Sequence, residues 1–133
     1  MKETKLMKCK KCGLLVEVLE KCDCETTCGP LCCGEPMSPV KANTTDGAKE
    51  KHVPYPAARD SGVWVRVGSV LHPATQEHHI VWIDVISADG MTRMRKYIVP
   101  GESPDAYFPM QLEKGMEIRE YCNLHGLWSY TIQ

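Results

Sequence analysis

The chain has 133 residues, a formal net charge of −1 and 25% charged residues. It contains no basic run interleaved with aromatic residues, so nucleic acid is not an expected partner. It also has no apolar run of membrane-spanning length, so no membrane association is expected. The N-terminus, MKETKLMKCKKC, lacks the apolar core of a signal peptide, which predicts a cytoplasmic location. Eight cysteines in such a chain favour metal sites over a disulfide framework.

In chain order, three segments differ in character. Residues 1–37 hold one short apolar run, Leu14–Leu19, and are too small to bury a core, so we expect a metal to stabilise them. Residues 38–51 are polar and contain Pro, Asn, Asp and Gly, as a linker does. Residues 52–133 contain short β-type runs and no sustained helical period, which predicts a mostly β protein with an immunoglobulin-like β-sandwich. The candidate strands are Gly62–Val67, His79–Ile86, Thr92–Val99, Met116–Tyr121 and Leu127–Ile132.

Cysteine and histidine are concentrated in opposite parts of the chain. Seven of the eight cysteines lie between Cys9 and Cys33, whereas all five histidines lie from His52 onward. The distribution predicts two modules with separate metal sites, one built from sulfur alone and one dominated by imidazole.

The sulfur site is predicted from a Cys9-x-x-Cys12 knuckle and the adjacent pair Cys32-Cys33. A knuckle places two thiolates on one side of a tight turn, and a second pair completes a tetrahedral site for iron or zinc. A structural zinc ribbon remains an open alternative, although an adjacent pair is unusual in ribbons.

The imidazole site is predicted from Cys122-x-x-His125 at a turn, where a thiolate and an imidazole form a metal corner. Other histidines can complete the shell, and the metal stays open between iron, copper and zinc. Glu50 and Lys51 directly precede His52; on spacing alone they are an ordinary solvated charge pair. The remaining candidates are His72, His78 and His79.

The N-terminal motifs resemble the desulforedoxin-like module that opens desulfoferrodoxins. They are Lys8–Gly13 (KCKKCG), Val16–Leu19 (VEVL) and Cys32–Met37 (CCGEPM). The resemblance implies one iron bound by Cys9, Cys12, Cys32 and Cys33. The intervening segment is longer than the family spacer and carries extra cysteines, which we interpret as spare thiols in an exposed loop. These extra cysteines are Cys22, Cys24 and Cys28. Alternatively, one of them replaces a ligand of the sulfur site, or they form a redox-sensitive disulfide.

Three later motifs resemble the neelaredoxin-type catalytic domain of superoxide reductases. They are EKHVP at 50–54, HP at 72–73 with a histidine six residues after His72, and CNLHG at 122–126. The resemblance implies a second iron with four planar imidazoles and an axial thiolate. The spacing from His72 and to Trp82 favours His78 over His79. The implied ligands are His52, His72, His78, His125 and Cys122.

The resemblance also implies a function. A two-iron superoxide reductase reduces superoxide to hydrogen peroxide in oxidative-stress defence, with Lys51 attracting the anion and Glu50 capping the oxidised iron. A rubredoxin-like protein is the implied electron donor, and additional calcium or zinc is left open. We expect a homodimer formed through the small module. The alternatives are a non-catalytic two-iron electron-transfer protein, a zinc-stabilised binding module and a dismutase.

Overall fold

The structure is a computed structural model that describes residues 5–20, 29–44 and 49–133, with the side chains of residues 49 and 50 left undescribed. It divides the chain into two compact units whose boundary falls between Lys41 and Ala42. No helix among the described residues is long and apolar enough to cross a membrane.

The small unit consists of short strands joined by turns. Its three-stranded antiparallel sheet has the order β2-β1-β5, and β3 and β4 form a separate hairpin. Leu6 and Met37 are buried, which is too little apolar surface for an independent core. The strands are β1 (Lys5–Lys8), β2 (Leu15–Val18), β3 (Leu31–Cys32), β4 (Glu35–Pro36) and β5 (Ser38–Pro39).

The start of the predicted linker differs from the structure. Ser38 and Pro39 pair with Lys8 and Met7 of β1, and the N–H of Val40 donates to the carbonyl oxygen of Leu6 at 2.9 Å. Backbone pairing therefore holds the first residues of the predicted linker in the small unit, although their composition is typical of a loop.

The larger unit begins with one helical turn and continues with seven strands. They form two antiparallel sheets, β10-β7-β6 and β12-β11-β8-β9. The predicted mostly β architecture is confirmed. The elements are α1 (Lys49–His52), β6 (Pro54–Arg59), β7 (Gly62–Val67), β8 (Ile80–Ile86), β9 (Arg93–Tyr97), β10 (Asp105–Phe108), β11 (Glu117–Cys122) and β12 (Gly126–Thr131).

The core lies between these two sheets. Strand β7 alternates, so Val63, Val65 and Val67 all face inward and are fully buried. They share the core with residues such as Ile83 and Ile118 from the four-stranded sheet. Each fully buried Val or Ile contributes about 1.5–3 kcal/mol, so this core can hold nearby polar residues in place.

Two strands of the larger unit, β6 and β10, were not predicted from the sequence. Strand β6 contains Pro54 and Pro56, which cannot donate hydrogen bonds to a neighbouring strand. It is nevertheless a strand because it lies at the edge of its sheet, where one side of the backbone needs no partner. Strand β10 has only four residues and is also an edge strand.

Three strand ends meet at one end of the four-stranded sheet. Cys122 of β11 pairs with Gly126 of β12 and with Ile80 of β8. An irregularity between Tyr121 and Cys122 shifts the register there. Tyr121 pairs with Trp82, but Cys122 pairs with Ile80 and skips Val81. The turn after β11 and the segment before β8 therefore lie side by side.

Candidate metal centres

Four sulfurs come together in the small unit. The Sγ atoms of Cys12 and Cys32 are 3.5 Å apart, and those of Cys32 and Cys33 are 3.9 Å apart. Tetrahedral coordination with metal–sulfur bonds of about 2.3 Å places sulfurs about 3.8 Å from one another. The group formed by Cys9, Cys12, Cys32 and Cys33 therefore fits a metal without rearrangement.

Tight turns aim these thiols at a common point. The N–H of Gly13 donates to the carbonyl of Cys9 at 3.0 Å, which closes the first turn. In the second turn Cys33 and Gly34 both have positive φ, 52° and 77°. A non-glycine residue in this region costs roughly 1–2 kcal/mol. Metal–sulfur bonds can offset that cost, which explains how two adjacent cysteines serve one site.

The thiols of this group have unequal acidities. The N–H of Cys12 lies 3.5 Å from the sulfur of Cys9 and lowers the pKa of Cys9 to about 6. The sulfur of Cys12 raises the pKa of Cys32 to about 12. Holding all four as thiolates therefore requires a cation, and its binding releases protons.

Four imidazole rings form a square in the larger unit. Neighbouring ring centroids are 4.6–5.0 Å apart around the circuit, and each ring is steeply inclined to its neighbours at 74–84°. The opposite pair His52 and His78 is 6.2 Å apart and close to parallel, at 29°. The circuit runs through His52, His72, His78 and His125.

The nitrogens of this square converge as ligands do. The Nε2 of His52 lies 3.2 Å from the Nε2 of His72 and 3.0 Å from the Nδ1 of His125. Two nitrogens at right angles on a metal with bonds of about 2.1 Å are about 3.0 Å apart. The Nε2 of His78 is buried and has no hydrogen-bond partner in the part of the chain that the structure describes. A metal satisfies that atom, so the residues present fit one.

Cys122 completes this group from the core side. Its sulfur lies 3.9 Å from the Nδ1 of His125, and the ligand atoms of His52, His78, Cys122 and His125 all lie within 4.8 Å of one another. Cys122 is fully buried, whereas His78 and His125 are partly exposed. The thiolate therefore lies on the inner side of the imidazole square.

Two of the imidazoles are biased towards the neutral form that binds metals. Burial lowers the pKa of His72 to about 4, and burial also lowers the pKa of His78. The Nδ1 of His72 donates to the carbonyl of Pro73 at 2.7 Å, which leaves its Nε2 as the ligating atom.

Comparison with known proteins agrees with this pair of sites. Residues 44–131 match the family described as Desulfoferrodoxin. The chain is 47% identical over 122 residues to the desulfoferrodoxin of Syntrophotalea carbinolica, covering 92% of this chain and 91% of the relative. It is 46% identical over 123 residues to that of Nitratidesulfovibrio vulgaris, covering 92% of each chain. The chain belongs to the desulfoferrodoxin family.

A solved structure extends this similarity to the fold. The superoxide reductase from Treponema pallidum matches with a TM-score of 0.70 and 31% identity, covering 98% of this chain and 100% of the other. The sulfur and imidazole groups match the two iron sites of desulfoferrodoxins, so iron is the metal in both. The alternatives of zinc and copper, which the spacing left open, are thereby decided.

Of the two adjacent histidines, the structure places His78 in the cluster. His79 lies outside it, with its Nδ1 3.1 Å from the carbonyl oxygen of Thr75. Lys51 is half-buried, and its charge contributes to lowering the pKa of His78, which places the ammonium group near the square. The side chain of Glu50 lies outside the described residues. So do the extra cysteines Cys22, Cys24 and Cys28.

Three further residues lie on the segments that carry the iron ligands and were not singled out from the sequence. The Oδ1 of Asn123 accepts from the N–H of His79 at 2.9 Å, and its Nδ2 donates to the carbonyl of Glu77 at 2.9 Å, so Asn123 joins the two ligand-bearing turns. The indole of Trp128 stacks on His52 at 4.9 Å and 20°. Its Nε1 donates to the carbonyl of His125 at 3.2 Å.

The third is Glu120, two residues before Cys122. Its carboxyl group is fully buried and has no hydrogen-bond partner among the described residues, and burial raises its pKa well above the usual range. Asn123 stands within the CNLHG motif, so its position was available from the sequence. The burial of Glu120 and Trp128 could not be predicted from the sequence, because nothing marks these residues except that they lie close in sequence to Cys122 and His125.

Proposed function

We propose that this chain is a superoxide reductase, an oxidoreductase that reduces superoxide by one electron to hydrogen peroxide. One observation carries the proposal: four imidazoles form a square with a single buried cysteine sulfur on its inner side. These five ligands leave one side of the square for a small substrate. Relatives named superoxide reductase, such as that of Pyrococcus horikoshii at 33% identity over 66% of this chain, support the same activity.

The ligand roles follow from the geometry. His52, His72, His78 and His125 would hold the iron through their ring nitrogens, and Cys122 would hold it through its sulfur. Ferrous iron bound there supplies the electron for the one-electron reduction. Burial raises the pKa of Cys122, so its thiolate form depends on the positive metal beside it. The thiolate in turn donates electron density to the metal, as it does in thiolate-ligated haem.

Lys51 is proposed to attract the substrate. A lysine ammonium beside an open metal site raises the local concentration of a small anion, and the whole-chain charge of −1 gives no steering of its own. The influence of Lys51 on the pKa of His78 supports this position. Glu50 is proposed to cap the oxidised site; this rests on the family resemblance alone.

We assign residues 1–37 to an Fe(Cys)4 module and residues 52–133 to the catalytic domain, in a cytoplasmic enzyme of oxidative-stress defence. A rubredoxin-like protein is the proposed electron donor.

A homodimer is proposed through the small unit. Leu14, Leu19 and Leu31 are 49%, 70% and 73% exposed, so this unit displays large apolar side chains that a second copy can cover. Sedimentation at micromolar concentration should give the mass of two chains. A monomer under these conditions would contradict the proposal.

Anaerobic purification followed by pulse radiolysis tests the proposed activity. We expect two irons per chain and one hydrogen peroxide for each superoxide consumed when an artificial reductant is supplied. A dismutase would yield one peroxide for every two superoxide ions and would release dioxygen. A protein that carries both irons but neither reacts with superoxide nor binds azide would instead be the non-catalytic electron carrier.

A further inference from the structure

The outer face of the four-stranded sheet carries a row of aromatic side chains. Tyr97 on β9 pairs with Trp82 on β8, and Trp82 pairs with Tyr121 on β11. Side chains at paired positions lie on the same face of a sheet. The rings of Trp82 and Tyr121 stack at 5.8 Å and 17°. Tyr121 directly precedes Cys122, whose side chain lies in the core on the other face of the sheet, so the backbone between the two residues joins the aromatic row to the thiolate ligand.

Only one end of the aromatic row is open to solvent. Tyr97 is 65% exposed, whereas Trp82 and Tyr121 are 3% and 6% exposed. The guanidinium of Arg95 covers Trp82 at 4.2 Å from the ring centroid. Arg95 and Arg119 both bind the buried carboxylate of Asp84, with Nη2–Oδ2 distances of 2.8 Å. The row is therefore dry and fixed in position from Trp82 inward.

The row is also short. Neighbouring strands are about 4.8 Å apart, so the distance from β9 to β11 across two spacings is about 9.6 Å. Strand pairing joins Tyr97 to Trp82, and Trp82 stacks on Tyr121, so protein rather than water fills this distance. An electron that reaches Tyr97 has a compact path to Cys122.

The edge strand at the open end is cationic. Strand β9 has the sequence RMRKY, with three cations and no acidic residue. Val99 is 58% exposed beside Tyr97. Cations around exposed Tyr and Val form a surface that fits a transient partner of negative charge.

We propose that this exposed edge, the β9 surface with Arg93, Arg95 and Tyr97 on the outer face of the sheet and Lys96 on the other face, is the docking site of an acidic one-electron carrier protein. The aromatic row conducts the electron from the docked carrier to Cys122. The reduced carrier loses one electron and the ferric centre gains it, with no transfer of atoms or protons. This inference rests on the proposed function, because it describes how that same iron is returned to the ferrous state after each turnover.

Two exposed positions of the β9 surface test the proposal, each with a matched control elsewhere on the sandwich. Lys96→Glu reverses a charge on β9, and Lys114→Glu makes the same change in the turn before β11. Tyr97→Leu removes the exposed aromatic ring, and Tyr107→Leu does so on β10, in the other sheet. Neither Lys96 nor Tyr97 is part of the iron site, so superoxide reduction by the pre-reduced protein should stay within about twofold of the wild type in all four variants.

The probe is rubredoxin. Reduced rubredoxin is mixed with the ferric protein in a stopped-flow instrument to measure its rate of oxidation. Oxidised rubredoxin is used to measure binding by surface plasmon resonance. We expect Lys96→Glu to weaken binding and to slow oxidation of rubredoxin roughly tenfold at low salt, with a smaller dependence on salt than the wild type shows. Tyr97→Leu should slow the electron transfer more than it weakens binding. Both controls should behave as the wild type does, and ascorbate should reduce all five proteins at equal rates.

Several outcomes would overturn the inference. Equal binding and equal rates for Lys96→Glu and Lys114→Glu would remove the docking site, and so would a wild type that neither binds rubredoxin nor oxidises it. An unchanged rate in Tyr97→Leu would remove the aromatic row as the path. Failure of the wild type to reduce superoxide, with rubredoxin binding intact, would contradict the proposed function and leave the docking site standing.

Discussion

The two iron centres occupy opposite kinds of scaffold. In the small unit two of the four sulfur ligands, Cys12 and Cys33, are exposed, and few side chains are buried around them. In the sandwich His52, His72 and Cys122 are at most 1% exposed. A site of the first kind depends on the metal for its shape, since the protein supplies little else. A site of the second kind is shaped by the core, so the protein can leave one coordination position unfilled.

The difference also separates their chemistry. Four thiolates complete a tetrahedral shell, so the sulfur iron can pass electrons but offers no position to a substrate. The imidazole square has its thiolate on the inner side and lies close to Lys51. If this division is correct, changes in the sandwich should alter superoxide reduction strongly and changes in the small unit should hardly alter it.

Replacing the axial ligand should have the largest effect. Cys122→Ser substitutes a poorer electron donor at a fully buried position, so we expect superoxide reduction to fall by more than about 100-fold. The visible absorption of the oxidised His/Cys iron should disappear as well, because it originates from the thiolate. Pulse radiolysis and absorption spectra of the same preparation measure both. A Ser variant with a rate near that of the wild type would show that Cys122 has no part in the reaction.

The adjacent histidines should behave very differently from each other. His78→Ala removes a ring from the square and should lower iron affinity by at least the roughly 10–100-fold that loss of an outer-shell partner costs, as measured by competition with a chelator. His79→Ala is the matched control, because its ring contacts the backbone of Thr75 instead. Its iron affinity should remain within about threefold of the wild type. The reverse order would exchange the assignment of the two residues.

Removing the lysine charge should have an intermediate effect. Lys51→Ala should lower the second-order rate with superoxide roughly tenfold, and Lys51→Arg should retain much of the rate because it keeps the charge. The wild-type rate should fall with added salt, since the attraction is screened over about 8–10 Å, and the alanine variant should depend less on salt. Equal rates in wild type and Lys51→Ala would show that Lys51 is an ordinary surface charge with no part in attracting superoxide.

Much of the fold was predictable because the pattern and the packing agree. Alternation in Gly62–Val67 predicts β7, and the Asp89-Gly90 turn predicts the β8–β9 hairpin, where Gly90 has a φ of 75°. Strand β6 escaped prediction because its two prolines argue against a strand unless its edge position is known. Edge position is a tertiary property, so no local reading of the sequence supplies it.

The iron ligands were predictable for a different reason. Short motifs fix Cys122 and His125 on one turn, and the family resemblance adds the distant histidines. The supporting residues were not predictable, because their roles arise from contacts between remote segments. Asn123 bonds to the backbone of Glu77 and His79, more than 40 residues away. Trp128 stacks on His52, which belongs to a different element.

The smallest effect on superoxide reduction is expected from the small unit, and it tests the comparison most directly. Cys9→Ser removes the buried member of the sulfur group, so the variant should contain one iron per chain. Because the imidazole square is anchored by the sandwich core, its spectrum and its rate with superoxide should stay within about twofold of the wild type when an artificial reductant is supplied.

Hydrogen exchange should show that the loss of structure in Cys9→Ser is confined to the small unit. The small unit has little apolar surface to hold it together without metal, so in Cys9→Ser its backbone amides, such as those of β1 and β2, should exchange faster. Amides of β7, β8 and β11 should keep their protection, since Val63, Val65, Ile83 and Ile118 still fill the core. Complete loss of superoxide reduction with the second iron still bound would contradict the division, because the sulfur centre would then be needed for the reaction itself. Loss of protection throughout the sandwich would contradict it in another way, by making the catalytic fold depend on the sulfur iron.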